Sequence, residues 1–301
     1  MPLKYFGAHT GRWSGTDGYN VQNLPNGSVA RTAIKAPPGH MIVVADSSQI
    51  ELRLNAWWSD EKWILDTLSA GQDIYIAAAA KHFDVPYDSI PKSDPRRKFG
   101  KALTLGSGYG MGYAKFQQYC ASGPLGMDPI LLTEEEAMEA IYRYRSVNAK
   151  IVASWKRCDG LVRELYHNDD GSPTLYKAIE VHKGTIILPN DMGLIFAQMN
   201  NAGRDDSFVY GTHGSNMYGA KLQENIIQAL ARVVISDQLL EIEAAGIVTV
   251  GCTHDEILAV APESEAESVY NEMIRIMSTT PKWAEGLPLE ADGGFSRSYC
   301  K

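Results

Sequence analysis

Residues 94–110 read DPRRKFGKALTLGSGYG, and the organisation of the whole chain turns on how this stretch is read. In a helix, steps of four residues advance the chain about 6 Å and rotate it by only ~40°. Arg97, Lys101, Leu105 and Tyr109 then form a slowly winding stripe about 18 Å long. Two cations, an apolar platform and an aromatic ring, in that order, match the phosphates, sugar and base of a nucleotide. Gly106, Gly108 and Gly110 each disfavour a helix by about 1 kcal/mol against Ala. The expectation is that they leave room for a flat ligand near the backbone. A basic surface helix explains the cations but not a stripe that runs on into Leu, Tyr and Gly.

Around this stretch, 301 residues of which 45% are hydrophobic can bury a core in one large domain or two modest ones. No apolar run approaches the roughly 18–20 residues of a membrane-spanning helix, and MPLKYFGAHTGRW lacks the apolar centre of a secretory signal. No membrane partner is expected. Cys120, Cys158, Cys252 and Cys300 lie far apart without a C-x-x-C pair, which argues against a zinc site or a disulfide scaffold and for a reducing cytoplasm. The net charge of −8 disfavours a nucleic-acid partner only as a sum, because local distribution matters more. Basic residues do bunch at Arg96, Arg97, Lys98 and Lys101, and again at Arg143, Arg145, Lys150, Lys156, Arg157 and Arg163. The second group reads equally well as a solvated helix face.

The first forty residues are rich in Gly, Asn and Pro and read as extended loop. HMIVVAD (40–46) is a short buried strand ending in a carboxylate, and SSQIELRLNAWW reads as the helix after it. Residues 61–170 look almost entirely helical, with a capping box at Thr133–Glu136. Between 174 and 213 the texture changes to short strands and turns. A long helix stopped by Gly246 follows, then IVTVGCTHDEILAVAP as strand, turn, strand. Ser264–Glu267 reads as a second capping box opening the last helix. Strands at both ends therefore bracket a mainly helical middle, an α+β core with a helical insertion.

Asp46 closes the first strand and Asp255 sits in the hairpin turn THDE. Each alone is ordinary turn chemistry. Converging from neighbouring strands, the two form the oxygen-rich, negative pocket that Mg²⁺ prefers. Two such ions about 3.5–4 Å apart suit in-line phosphoryl displacement.

The set strongly resembles family-A DNA polymerases, with the texture of the bacteriophage branch. DSSQIELR (46–53) resembles motif A, usually D-Y-S-Q-I-E-L-R. RRKFGKALTLGSGYG resembles motif B, R-x₃-K-x₃-aromatic-x₃-Y-G, and CTHDEI resembles motif C, usually V-H-D-E. TGRWSGTDGYNVQNLP (10–25) resembles the family's T-G-R-L-S…L-Q-N-I-P, and the four motifs stand in the family's order. The resemblance implies a right-hand polymerase palm, an antiparallel sheet with helices, over 1–56 and 213–301, and a mainly helical fingers insertion over 57–212. It implies template-directed addition of dNTPs to a DNA primer, with two Mg²⁺ ions (Mn²⁺ an acceptable substitute) on Asp46, Asp255 and the Ser47 carbonyl. Glu256 stands beside these catalytic acids in a supporting role. Gln49, Glu51, Arg97, Lys101, Leu105 and Tyr109 form the implied nucleotide-binding set, with Glu51 as the steric gate against a 2′-hydroxyl. Arg12, Gln22, Asn23 and His254 are the implied DNA contacts.

Three departures stand out. Leu105 occupies the usual Phe or Tyr position, Ser47 replaces a Tyr, and Tyr75 in DIYIAA stands where many members carry a phosphate-holding His. Only nine residues precede Thr10, so thumb and exonuclease are expected to be absent. A companion polypeptide carrying thumb and 3′–5′ exonuclease is the implied partner, besides primer–template DNA and dNTPs. The site of action is the cytoplasm, the host's if the chain is phage-encoded. A phage-type single-subunit RNA polymerase is the nearest alternative, and Glu51 argues against it. A catalytically weak DNA-binding subunit is another, and the intact acids and cations speak against that.

Overall fold

A computed structural model of the protein describes residues 3–16, 22, 24, 28–124, 127–168, 171–203 and 207–299. The N-terminal segment is mostly loop but carries two short antiparallel strands, β1 (Leu3–Lys4) and β2 (Ser14–Gly15). It also holds a four-residue helix, α1 (Val29–Thr32), whose cap Ser28 accepts a hydrogen bond from the Arg31 backbone N–H. Strand β3 (His40–Ser47) follows as a near-continuous buried run.

Seven helices come next: α2 (Ile50–Ser59), α3 (Lys62–Ser69), α4 (Ile74–Phe83), α5 (Pro95–Ser107), α6 (Tyr113–Ala121), α7 (Glu134–Val147) and α8 (Ala149–His167). The Thr133–Glu136 capping box opens α7 as expected. Strands β4 (Thr174–Tyr176), β5 (Ile179–His182), β6 (Thr185–Ile187) and β7 (Gly193–Ile195) form an antiparallel meander. A smaller sheet holds β8 (Asn200–Asn201), β9 (Phe208–Tyr210) and β10 (Ser215–Met217). The long helix α9 (Gly219–Ala244), the hairpin β11 (Thr249–Thr253) and β12 (Glu256–Pro262), helix α10 (Ala266–Met277) and strand β13 (Ala291–Ser296) complete the chain.

The main sheet has the order β11-β12-β3-β13 and is antiparallel throughout. Strand β3 is an interior strand, and both its faces are covered. Val43 and Ala45 pack with Ile257 and Ala259 against Ile242 of α9 and Met273 and Ile276 of α10. Ile42, Val44 and Leu258 pack on the other face around Tyr299. The largest core joins Leu54 and Trp58 of α2 to α8, to Ile226 and Leu230 of α9, and to Val181 and Ile186 of the meander. Among the described residues, no helix is long and apolar enough to cross a membrane.

Three local expectations need correction. Helix α5 ends at Ser107 with Gly108 as its cap, so Tyr109 lies beyond the helix rather than on its stripe. Gly110, at φ 80°, turns the chain away. The glycines do not hold space for a ligand, because the chain itself fills it. A Cβ on Gly106 would stand 3.0 Å from the Tyr119 ring, and one on Gly110 would stand 2.9 Å from the Ala220 Cβ. The second capping box does not form: α10 starts after Glu265 without a side-chain cap, one residue later than the box requires, so Glu267 falls at the second helical position rather than the third.

Candidate active site

The C-terminal end of β3 gathers the acids. Asp46 stands in register between Glu256 of β12 and Asp292 of β13. Asp255 and His254 form the two-residue turn between β11 and β12, and the Asp255 carbonyl accepts a hydrogen bond from Ser47 N at 2.9 Å. Two aspartates 209 residues apart are thus tied to one another by the ladder itself. Burial, and then the charge of Asp46, push the Asp255 carboxyl up to about 7. Two hard oxygen donors placed side by side, one of them desolvated, are a donor set that suits a divalent cation. The donor chemistry fits Mg²⁺ or Mn²⁺ held by Asp46 and Asp255, with the Ser47 carbonyl adjacent in the chain.

Backbone strain flanks both aspartates. Gln49 (φ 48°) and His254 (φ 54°) occupy the left-handed region, which costs a non-glycine residue on the order of 1 kcal/mol or more.

Glu256 is differently engaged. Its carboxylate accepts from Arg31 Nη2 at 2.7 and 2.9 Å and from the Tyr299 hydroxyl, and Arg31 also bonds Tyr299. The guanidinium carbon lies 4.0 Å from the centre of the Tyr299 ring. All three residues are buried. Burial and Glu256 push the Tyr299 phenol up to about 12, so it acts as a donor. Among the described residues no cluster of three or more His, Cys, Asp or Glu side chains is arranged to hold a metal. Glu256, in register with Asp46, is instead committed to its ion pair.

The other expected residues fall into two groups. Arg12, Gln22, His254 and Asp255 line one cavity with Trp13 and Arg232, and Asn23 lies outside the described residues. Arg12 pairs with Glu51 at 2.6 Å. The half-buried Tyr109 lies near Glu51, and burial and that carboxylate hold its phenol well above the ordinary range. Gln49, Tyr75 and Arg97 line an open polar cleft of 310 Å³ together with Lys92 and Asp292. Arg97 Nε donates to Asp73 at 2.7 Å, and the Tyr75 ring lies 5.6 Å from the Arg97 guanidinium and 6.0 Å from Lys101 Nζ. Lys101 and Leu105 are half-buried on the same helix.

Sequence reasoning missed Arg31, Tyr299, Asp73, Asp292 and Arg53. Arg53 is buried and fastens α2 to the segment before β13, donating to the Ser48 carbonyl at 2.7 Å, the Pro288 carbonyl at 3.1 Å and Glu290 at 2.6 Å. Its place in DSSQIELR was the one available signal.

A sequence profile for DNA polymerase family A matches residues 3–164. The chain belongs to DNA polymerase family A. Within that family it is 30% identical to a DNA polymerase of Bacillus phage SP02, over 99% of this chain and 52% of that protein. It is 28% identical to the thermostable DNA polymerase I of Thermus thermophilus, over 96% of this chain and 31% of that protein. The fold matches the POL domain of Pol1 from M. smegmatis, solved in complex with DNA primer-template and dNTP, at a TM-score of 0.68 and 21% identity. That match covers 99% of this chain and 47% of the other. The family-A chain described here thus spans about half the length, or less, of these relatives.

Proposed function

We propose that the chain is the polymerising part of a DNA-directed DNA polymerase, which joins dNTPs to the 3′ end of a primer under the direction of a DNA template. The observation that carries this reading is the Asp46–Asp255 pair, brought together at the end of the β3–β12 ladder, where burial and the Asp46 charge push the Asp255 carboxyl up to about 7. In this reading residues 1–56 and 213–301 are the palm and residues 57–212 the fingers. Two divalent cations, when bound, would supply charge neutralisation for the attacking 3′-oxygen and the leaving pyrophosphate.

The chain's own residues do the rest. Asp46 and Asp255 hold the cations, with the Ser47 carbonyl. Arg97 and Lys101 attract the triphosphate into the cleft beside Gln49 and Tyr75, and Arg97 exchanges Asp73 for phosphate oxygens as it does so. Glu51, fixed by Arg12, crowds the sugar 2′ position, and Tyr109 beside it offers a stacking face to the template pair. Arg12 and His254 meet the primer end, with Gln22 and Asn23 near the DNA. Glu256 supports the pair from its ion pair with Arg31. A companion polypeptide carrying thumb and exonuclease is part of the same proposal, as is action in the cytoplasm of a host cell.

Primer extension tests the reading. A labelled primer on a DNA template should grow with dNTPs and Mg²⁺ or Mn²⁺, far less with rNTPs. Asp255→Ala should abolish growth while leaving DNA binding in place. Undiminished extension by Asp255→Ala overturns the metal assignment, and equal use of rNTPs overturns the choice of a DNA over an RNA polymerase. Full processive synthesis by the chain alone removes the need for a companion.

A further inference from the structure

We infer that Arg31 and Tyr299 are positioning residues for the carboxylate pair, clamping Glu256 so that the turn bearing Asp255 stays in register beside Asp46. The inference rests on the two-cation reading above and extends it to residues that lie outside every motif.

The connection is short and covalent at its decisive step. Glu256 is the residue after Asp255, and its backbone begins β12 directly opposite Asp46. The turn it follows is strained at His254 and leans on β3 through the Ser47–Asp255 hydrogen bond. Without an anchor at the start of β12, relief of that strain and of the repulsion between two aspartates would move Asp255 outwards. The anchor is a buried carboxylate with two partners from opposite ends of the chain. Arg31 comes from α1, held by its Ser28 cap. Tyr299 comes from a segment that pairs with residues 34–36: Tyr299 N donates to the Ile34 carbonyl at 2.8 Å, and Ala36 N to the Arg297 carbonyl at 3.0 Å. The two partners are therefore fixed relative to one another as well as to Glu256. A second consequence follows from register. Glu256 lies across from Asp46, within reach of the same site, and the clamp withdraws its charge so that the cations meet two aspartates.

A guanidinium is suited to this place. Its Nη2 reaches both Glu256 oxygens and the Tyr299 hydroxyl while the planar group lies over the Tyr299 ring, and the stacked part of that arrangement is one a Lys ammonium does not reproduce.

The test uses binding of Mn²⁺ to the whole chain, read by the electron paramagnetic resonance signal of the free ion, beside steady-state extension and thermal melting. Tyr299→Phe removes one hydroxyl and should weaken Mn²⁺ binding roughly 3-fold, the worth of one net hydrogen bond. Arg31→Met should weaken it roughly 10-fold or more, as loss of a residue orienting a ligand does, and should lower kcat with little change in KM for dNTP. Arg31→Lys should recover part of the loss. A merely structural role predicts lower melting temperatures with unchanged Mn²⁺ affinity in whatever protein remains folded. If Arg31→Met does not fold, Tyr299→Phe decides. Unchanged Mn²⁺ affinity in Tyr299→Phe, with the unsubstituted chain binding the ion, overturns the positioning role alone. If the unsubstituted chain binds no Mn²⁺ at all, the two-cation reading falls and this inference with it.

Discussion

Asp255→Asn should make the cation-free protein more stable above neutral pH while removing its response to divalent cations. The folded protein holds the Asp255 proton up to about 7, against an ordinary 3.8, through burial and then the charge of Asp46. A carboxyl raised by folding contributes most below its unfolded value, where it is protonated in both states. Its contribution is lost as pH rises from about 4 to about 7, and above that range the buried carboxylate opposes folding. Roughly 3 units at 1.36 kcal/mol each set a ceiling of about 4 kcal/mol. Asn is nearly isosteric and uncharged, so the variant should gain about 2–4 kcal/mol at pH 8 and almost nothing at pH 4. For a chain of this size that corresponds to a rise in Tm of roughly 3–6 °C. Melting both proteins in EDTA from pH 4 to pH 9 reads the effect. Adding Mn²⁺ at about 100 times its Kd should then stabilise the unsubstituted protein by about 2.7 kcal/mol and the variant by much less. Superimposable melts at pH 8 in EDTA, or a difference that does not change with pH, would refute the reasoning.

Three further outcomes follow from single contacts. Arg53→Met leaves the Ser48 and Pro288 carbonyls and Glu290 without their donor, and should destabilise the protein by about 3–5 kcal/mol in chemical denaturation. Gly100→Ala puts a Cβ 2.1 Å from the Tyr75 carbonyl, so α4 and α5 must part, and a loss of about 1–3 kcal/mol or more is expected in the same assay. Asp73→Asn keeps a capping oxygen for α4 but removes the charge that competes for Arg97. It should lower KM for dNTP with kcat unmoved and stability altered by under about 1 kcal/mol, whereas a higher KM would mean that Asp73 orients Arg97 rather than competing for it.

What the sequence made legible was the chemistry that must lie in local patterns. Asp46 and Asp255 were marked by apolar strands that stop at a carboxylate, and α7 by its capping box. The misses share a cause: the deciding contact is distant in sequence or runs against propensity. Strand β13 reads ADGGFS, a poor strand by composition. Yet Gly293 is required there, since a Cβ would lie 2.0 Å from the Val44 carbonyl. Arg31 sits in a Gly-, Asn- and Pro-rich stretch and finds Glu256 225 positions away, so no periodicity could announce it. The motif-B stripe failed at Tyr109 because a four-residue step presumes a helix, and α5 stops at Ser107 with Gly108 as its cap.

These misses bear on why the site exists at all. Sequence patterns reveal residues that satisfy local rules, whereas this site is built from violations of them: two left-handed non-glycine residues and two aspartates forced together. Such an arrangement persists only where its surroundings over-determine it. The over-determining residues are those the motifs do not contain. Arg53 fixes α2 to the approach of β13, Gly293 lets β13 close on β3, and Arg31 with Tyr299 fixes the start of β12. Each acts on a different neighbour of Asp46 or Asp255, so weakening any one should relax the pair without touching a carboxylate. Stability and cation affinity should therefore move in opposite directions for Asp255→Asn at pH 8, which gains the first and loses the second. They should fall together for Arg31→Met and Arg53→Met. A protein in which the motif residues alone set the site would show no such division.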